Sequence, residues 1–154
     1  MHIEHKIEIS EPIETVWDQI SDLTGIQDWT KTVNSAHFHT DKQRGIGAGR
    51  TCDVKGFGKL VENVLEWSEG ESYRLSLEGL PSFVKEASGG WRLEKAGDNR
   101  TIATTFIDME TRYWPFGVIM EKVALGPQFN KVISGVQKEF KNHVEAAGGT
   151  VKTA

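Results

Sequence analysis

The run HIEHKIEIS (residues 2–10) continues directly into EPIETVWDQISDL (residues 11–23) and then into TGIQDW (residues 24–29). In the first run isoleucines alternate with charged residues, and this period of two predicts a half-buried strand. In the second run apolar residues return every three or four positions, which predicts an amphipathic helix. Gly25 ends that helix, so a second short helix is predicted to carry Trp29.

The composition limits the class of protein. The 154 residues carry a net charge of −4, which favours solubility and argues against nucleic-acid binding. Cys52 is the only cysteine, so no internal disulfide or cysteine metal cluster is expected. No apolar run reaches the roughly 18 residues of a membrane span, and the N-terminus does not resemble a signal peptide. We therefore expect one cytoplasmic domain over residues 1–154, without stable membrane insertion and without a cofactor or metal.

Glycine-rich turns separate short runs with a period of two in the middle of the chain. Because the connections between these runs are short, neighbouring strands are expected to run antiparallel. The pattern predicts six further strands, near residues 35–39, 50–54, 59–67, 72–78, 83–95 and 101–111.

The last third of the chain changes to a helical period. Apolar residues within 129–144 form one stripe opposed by lysines, and this predicts a long amphipathic helix. Gly148 and Gly149 are expected to end this helix. Residues 118–125 are predicted to form an earlier helical segment, and the glycine–proline pair that follows marks a kink or a new start.

Together these elements predict an α+β fold. A curved antiparallel sheet of about seven strands must bury one face, and the long C-terminal helix is the only large apolar partner available to it. We expect the sheet to wrap around this helix, with the two short helices after the first strand at one end. If side chains leave part of this space empty, it is a candidate small-molecule site.

Several short motifs occur in a fixed order along nearly the whole chain. They are the N-terminal run with Val16-Trp17, the glycine-containing stretch 47–64, Trp91-Arg-Leu93, and the ending at residues 138–145. In order and spacing they resemble the START-related (SRPBCC) superfamily, in particular its polyketide cyclase/dehydrase-like branch. The resemblance implies a helix-grip fold with a pocket between the sheet and the long helix.

The resemblance also implies a range of functions. Ligands across the superfamily include lipids, sterols, polyketides and plant hormones, and some members are cyclases or hydrolases. Thr30 departs from the pattern, because a proline often follows the tryptophan there. The loop Gly79-Leu-Pro-Ser82 shares letters with the gate loop of plant abscisic-acid receptors, but its place in the strand order differs, so no gate is transferred.

Glu62 is the candidate catalytic or ligand-anchoring acid. It lies between apolar neighbours on a central strand, and the resemblance aligns it with a pocket-facing acid of the hormone receptors. If it faces the cavity, desolvation favours its protonated form, as in a general acid–base group or a ligand anchor. The opposite face of the strand, with Val61, Leu65 and Trp67, is equally apolar, so an orientation toward solvent is the alternative.

The concave face of the sheet and the inner face of the helix are expected to supply the remaining ligand contacts. Plain core packing explains the same apolar residues, and the sequence does not separate the two interpretations. An aromatic wall with a few polar tips also suits an amphipathic ligand. The predicted ligand-binding residues are Trp29, Glu62, Tyr73, Leu75, Leu77, Trp91, Thr105, Ile107, Trp114, Met120, Phe129 and Ile133.

Aromatic residues and a methionine also follow the last predicted strand, within residues 112–120. Such a cluster suits a flexible lid over an apolar ligand. It equally suits packing over the end of the core. A contact between two copies of the chain in a homodimer is a further alternative.

Other motifs carry little chemistry. His37 and His39 lie two residues apart on one predicted strand, but no third metal ligand is near them in sequence, so surface histidines are expected. His5 shares the apolar face of the first strand and is expected to be half-buried, with a pocket role as the alternative. GIGAGR, residues 45–50, precedes a predicted strand, whereas a phosphate-binding loop precedes a helix.

We therefore expect a carrier or sensor that binds a hydrophobic or amphipathic, lipid- or polyketide-like small molecule. The alternative is a cyclase, dehydratase or hydrolase of polyketide-like substrates, with Glu62, Tyr73 or His5 in acid–base roles. A third interpretation, a partner-binding module, requires residues 114–120 to be exposed on the monomer.

Overall fold

The computed structural model describes residues 1–113 and 115–153, and within this part of the chain the predicted helix-grip fold is confirmed. A seven-stranded sheet faces a long C-terminal helix, and two short helices follow the first strand. The elements are β1 (His2–Ile9), α1 (Ile13–Ile20), a 3₁₀ turn (Leu23–Gly25), α2 (Ile26–Trp29), β2 (Val33–Phe38), β3 (Gly49–Val54), β4 (Gly58–Ser68), β5 (Ser72–Ser76), β6 (Val84–Gly97), β7 (Arg100–Thr111), α3 (Phe116–Met120), a π-helical turn (Glu121–Leu125) and α4 (Gly126–Thr153).

The sheet has the strand order β1-β7-β6-β5-β4-β3-β2, and neighbouring strands are antiparallel. Strands β2 to β7 form a meander of consecutive pairs, as their short connections predict. The first strand joins the last one, from His2 opposite Asp108 to Ile9 opposite Thr101. The beginning of the chain therefore forms one edge of the sheet that curves around α4.

Helix α4 contacts the concave face of the sheet unevenly. In its C-terminal half Phe140 and Val144 are completely buried. The Phe140 ring centroid lies 4.9 Å from that of Trp29 and 5.0 Å from that of Trp91. In the N-terminal half Val132 is 39% exposed. Helix and sheet are thus closely packed at one end and separated at the other.

A bulge in β4 changes which of its side chains point inward. The pairing of β4 with β5 shifts between Val64 and Glu66, because Leu65 is an extra residue in β4. Val64 and Trp67 consequently both pack against the core, whereas Leu65 lies half exposed on the convex face. Placing Leu65 and Trp67 on one face, as simple alternation does, is wrong for this reason.

The prediction that Gly148 and Gly149 end the last helix is also wrong, since α4 continues to Thr153. Gly148 permits a close approach instead. A Cβ atom at this position would overlap the carboxylate of Glu11, which is only 3% exposed.

Gly90 and Gly135 provide a matched test of how closely β5 and β6 approach each other. A Cβ atom at Gly90 would overlap the backbone carbonyl of Tyr73, whereas one at Gly135 in α4 meets open space. We expect Gly90→Ala to lower the free energy of unfolding by about 1–3 kcal/mol. Gly135→Ala should raise it by up to about 1 kcal/mol, because alanine is the better helix former. Urea unfolding measures both, and equal stability of Gly90→Ala and wild type would contradict the close approach of β5 and β6.

Candidate functional site

A cavity of about 400 Å³ lies between the concave face of the sheet and the N-terminal half of α4. This volume is within the range of small-molecule sites. Most of its wall is apolar, and exposed lining residues at Phe57, Pro81, Gln128 and Val132 mark its mouth. Its inner wall comes from β3, β4, β5, β6 and β7, including Arg50, Cys52, Leu60, Glu62, Tyr73, Leu75, Gly89, Gly90, Trp91, Thr105, Phe106 and Ile107.

Nine of the twelve predicted ligand-binding residues lie on the wall of this cavity. They come from the sheet and from the inner face of α4, as the sequence pattern indicates. That they contact a ligand remains a prediction. The nine are Glu62, Tyr73, Leu75, Leu77, Trp91, Thr105, Ile107, Phe129 and Ile133.

Of the other three predicted residues, Trp29 and Met120 are not part of the wall. Trp29 packs in the core against Phe140 and is 9% exposed, because α2 lies at the closed end of the fold. Met120 is half-buried in α3, and the chain first reaches the cavity after it at Leu125. Trp114 lies outside the described residues.

Glu62 faces the cavity and forms a buried ion pair that the sequence analysis did not anticipate. Its Oε2 accepts a hydrogen bond of 2.6 Å from Nε of Arg50, the residue directly opposite it on β3. The side chains are 7% exposed for Arg50 and 8% exposed for Glu62. Nη1 of Arg50 donates to the carbonyl oxygen of Leu23 at 2.5 Å. The arginine thus links the sheet to the turn between α1 and α2 and compensates the buried carboxylate.

Burial and charge fix the protonation of the groups around this pair. Burial alone would lower the pKa of Arg50, but the Glu62 carboxylate overrides it and the pKa is raised, so the guanidinium stays charged. Burial raises the pKa of the Cys52 thiol to about 12. Burial likewise raises the pKa of the Tyr73 phenol. The thiol and the phenol therefore remain neutral near pH 7 and act as hydrogen-bonding groups.

The arrangement leaves defined hydrogen-bonding capacity at the inner wall. The contacts of Arg50 with the described residues use Nε and Nη1, which leaves Nη2 as a further donor beside the cavity. The Cys52 thiol donates to Oε2 of Glu62 over 3.5 Å. The Tyr73 hydroxyl donates to the carbonyl of Ile20 at 3.3 Å, so its proton is already engaged. The strongest polar anchor in this wall is consequently the Arg50–Glu62 pair.

The histidines considered from the sequence lie away from this anchor. His5 is half-buried and its Nε2 is 2.7 Å from Oδ1 of Asn130 on α4, outside the cavity wall. His37 is exposed. His39 is hydrogen bonded through one ring nitrogen to Thr51 at 2.9 Å and through the other to Asn63 at 2.8 Å. In the described part of the chain no three His, Cys, Asp or Glu side chains are grouped as a metal site.

The segment after β7 is exposed at several apolar side chains. Phe116 is 56% exposed and Ile119 is 54% exposed, although Gly117 between them is buried. A segment that only covers the end of the core would bury these side chains. The exposure that a partner-binding surface requires is therefore present at these two positions.

The fold and the cavity define a helix-grip protein of the START-related type, and sequence comparison agrees. The model of the family described as polyketide cyclase/dehydrase and lipid transport matches residues 1–145. The chain belongs to this family. No curated protein matches it in sequence.

Solved structures of similar fold share little sequence with the chain. A protein from Thermus thermophilus is 19% identical with a TM-score of 0.74, covering 96% of this chain and 99% of that one. The Zhui aromatase/cyclase from a Streptomyces species is 18% identical with a TM-score of 0.73, covering 96% and 98%. A START superfamily protein from Mycobacterium smegmatis is 15% identical with a TM-score of 0.73, covering 95% and 98%. These similarities establish the shared fold.

The buried ion pair can be tested by a double-mutant cycle. Arg50→Met and Glu62→Leu each leave an uncompensated buried charge and should each cost about 3–5 kcal/mol of stability. The double variant should be more stable than the sum of the two losses predicts, as measured by urea unfolding. The exposed Lys85–Glu110 pair is the control, and its cycle should give a coupling below about 1 kcal/mol. Additive losses at Arg50 and Glu62 would contradict the pairing.

The burial of Cys52 predicts a pH-dependent reactivity. With a pKa of about 12, the native thiol should react with iodoacetamide at pH 8 about a thousandfold or more slowly than the same thiol in urea. The native rate should keep rising with pH well above pH 9, because the thiolate fraction is still increasing there. Mass spectrometry of the alkylated chain measures both rates, and equal rates in native and unfolded protein would rule out this burial.

Proposed function

We propose that this protein binds a hydrophobic or amphipathic small molecule in the cavity, with a polar group of the ligand against Arg50 and Glu62. The observation that carries the proposal is the charged pair in the inner wall of an otherwise largely apolar cavity. The family and the fold support binding of a hydrophobic ligand in general. Transport or sensing would follow from such binding without a chemical step.

The anchor favours a particular chemistry at the buried end of the ligand. Arg50 and Glu62 together are neutral, so a ligand carboxylate would meet a carboxylate as well as a guanidinium. A carbonyl oxygen can accept from Nη2 of Arg50, and a neighbouring hydroxyl can donate to Glu62. An uncharged, oxygenated end on an apolar body, as in a lipid or a polyketide, therefore fits best.

The same pair supports an enzyme as the second candidate function. A guanidinium beside a carbonyl oxygen stabilises negative charge developing there, and an adjacent carboxylate can accept a proton from the neighbouring carbon. Both steps are those of a cyclase or dehydratase. Glu62→Gln also leaves the buried charge of Arg50 uncompensated, so circular dichroism must first show that the variant is folded. If the protein is an enzyme, the folded variant loses turnover. In a carrier the folded variant changes its affinity for ligands that carry a hydroxyl donor.

Occupancy of the cavity can be tested with one filling variant and one control. Ile107→Trp places a large ring in the cavity wall, whereas Leu65→Trp adds the same ring on the convex face. Wild type and Leu65→Trp should bind the uncharged fluorescent probe N-phenyl-1-naphthylamine saturably, and Ile107→Trp should lose this binding. Native mass spectrometry of protein purified from its own host then identifies the bound molecule. Equal probe binding by all three proteins would refute the cavity as the binding site.

A further inference from the structure

Three chain segments lie around or beside the mouth of the cavity, and we call their described residues the rim: 53–59, 79–85 and 112–132 without Trp114. The first contains the β3–β4 turn and the second the β5–β6 loop, and both contribute to the cavity wall. The third runs from the end of β7 into α4. It is joined to the second by the hydrogen bond from the Arg112 amide to the Phe83 carbonyl, 2.7 Å.

The rim exposes large apolar side chains. Phe57 in the first segment is 45% exposed, and Val132 in the third is 39% exposed, although both line the cavity. Phe116, Ile119 and Val123 are 56%, 54% and 73% exposed. These three residues recur at the spacing of one helical face, so they form an exposed apolar stripe on the segment that leads into α4.

The charge of the rim is opposite in sign to that of the rest of the chain. The three segments contain six basic and two acidic residues, whereas the whole chain has 18 basic and 22 acidic residues. Lys55, Lys122 and Lys131 are exposed. Lys85 is paired with Glu110 and contributes less. A positive, apolar rim on an acidic protein is complementary to an apolar surface that carries negative charge.

We propose that the rim docks on an anionic lipid bilayer, from which the cavity takes up or to which it releases its ligand. The uptake or release of a ligand rests on the proposed function, whereas binding of the rim to the bilayer does not depend on it. Apolar side chains enter the headgroup boundary, and each lysine near an anionic surface adds about 1 kcal/mol. The contact is peripheral, because no helix in the described part of the chain has the length and apolar character of a membrane span.

A second copy of the chain fits the rim less well. In a two-fold dimer the rim of one protomer would face the rim of the other, so the basic segments of the two protomers would lie against one another. Such like-charge contacts oppose association. An anionic bilayer instead complements both features, because its acyl boundary accepts the apolar stripe and its headgroups attract the lysines.

Vesicle flotation tests the docking directly. Wild type should float with vesicles of phosphatidylcholine mixed with phosphatidylglycerol, and not with vesicles of phosphatidylcholine alone. Lys122→Glu/Lys131→Glu and Ile119→Ser/Val123→Ser should each weaken binding by at least about tenfold. The control Lys138→Glu reverses an exposed lysine on α4 outside the rim, and the control Leu65→Ser removes an exposed apolar side chain from the convex face. Both controls should bind like wild type.

The filled-cavity variant separates this proposal from the proposed function. Ile107→Trp should float with anionic vesicles like wild type, even though it no longer binds the soluble probe. Failure of probe binding with intact flotation would leave the docking surface standing without the ligand proposal. Absence of flotation in wild type, or equal weakening by the control variants, would overturn the docking. A wild-type dimer in sedimentation velocity that Ile119→Ser/Val123→Ser dissociates, or an acidic protein that competes with the vesicles, would assign the rim to a protein partner and overturn it too.

Discussion

The position of Phe140 between the rings of Trp29 and Trp91 determines the geometry of the whole molecule. It fixes α4 against the sheet at the middle of the helix. The whole helix extends roughly 40 Å and bends little, so it cannot follow the curvature of the sheet from that contact to its N-terminal end. The gap that opens is the cavity. The best-packed part of the protein and its least-filled part are thus two consequences of one contact.

The gap contains an ion pair, and its energetics differ from those of the core around it. A buried pair contributes little to stability compared with apolar side chains of the same volume, so folding alone does not require one here. The pair does hold its donors and acceptors in place, because Arg50 is bonded both to Glu62 and to the Leu23 carbonyl. Groups that are fixed in this way need no reordering when a ligand binds, which favours affinity and selectivity.

The fold could be predicted from the sequence because hydrophobic period and turn residues specify it locally, from the alternation in residues 2–9 to the helical stripe in residues 129–144. Other features depend on contacts that are distant in sequence. No residue type in β4 marks the bulge at Leu65 in the sequence. The packing of Gly148 depends on Glu11, near the other end of the chain. The pairing of Glu62 with Arg50 could have been predicted from the sequence, because a hairpin centred on Gly56 places Arg50 opposite Glu62.

The glycines in β6 have a consequence for how such proteins diversify. A Cβ atom at Gly89 would come within 2.9 Å of the Phe106 carbonyl oxygen, and a Cβ atom at Gly90 would overlap the Tyr73 carbonyl oxygen. The shape of this part of the cavity wall is therefore set by the backbone. The helix wall at Phe129 and Val132 is subject to no such limit, because side chains alone fill it. Substitutions in α4 can therefore change the size and shape of the ligand that the cavity accepts, while strand pairing stays intact. Proteins of this fold can thus come to accept different ligands long before their sheets differ.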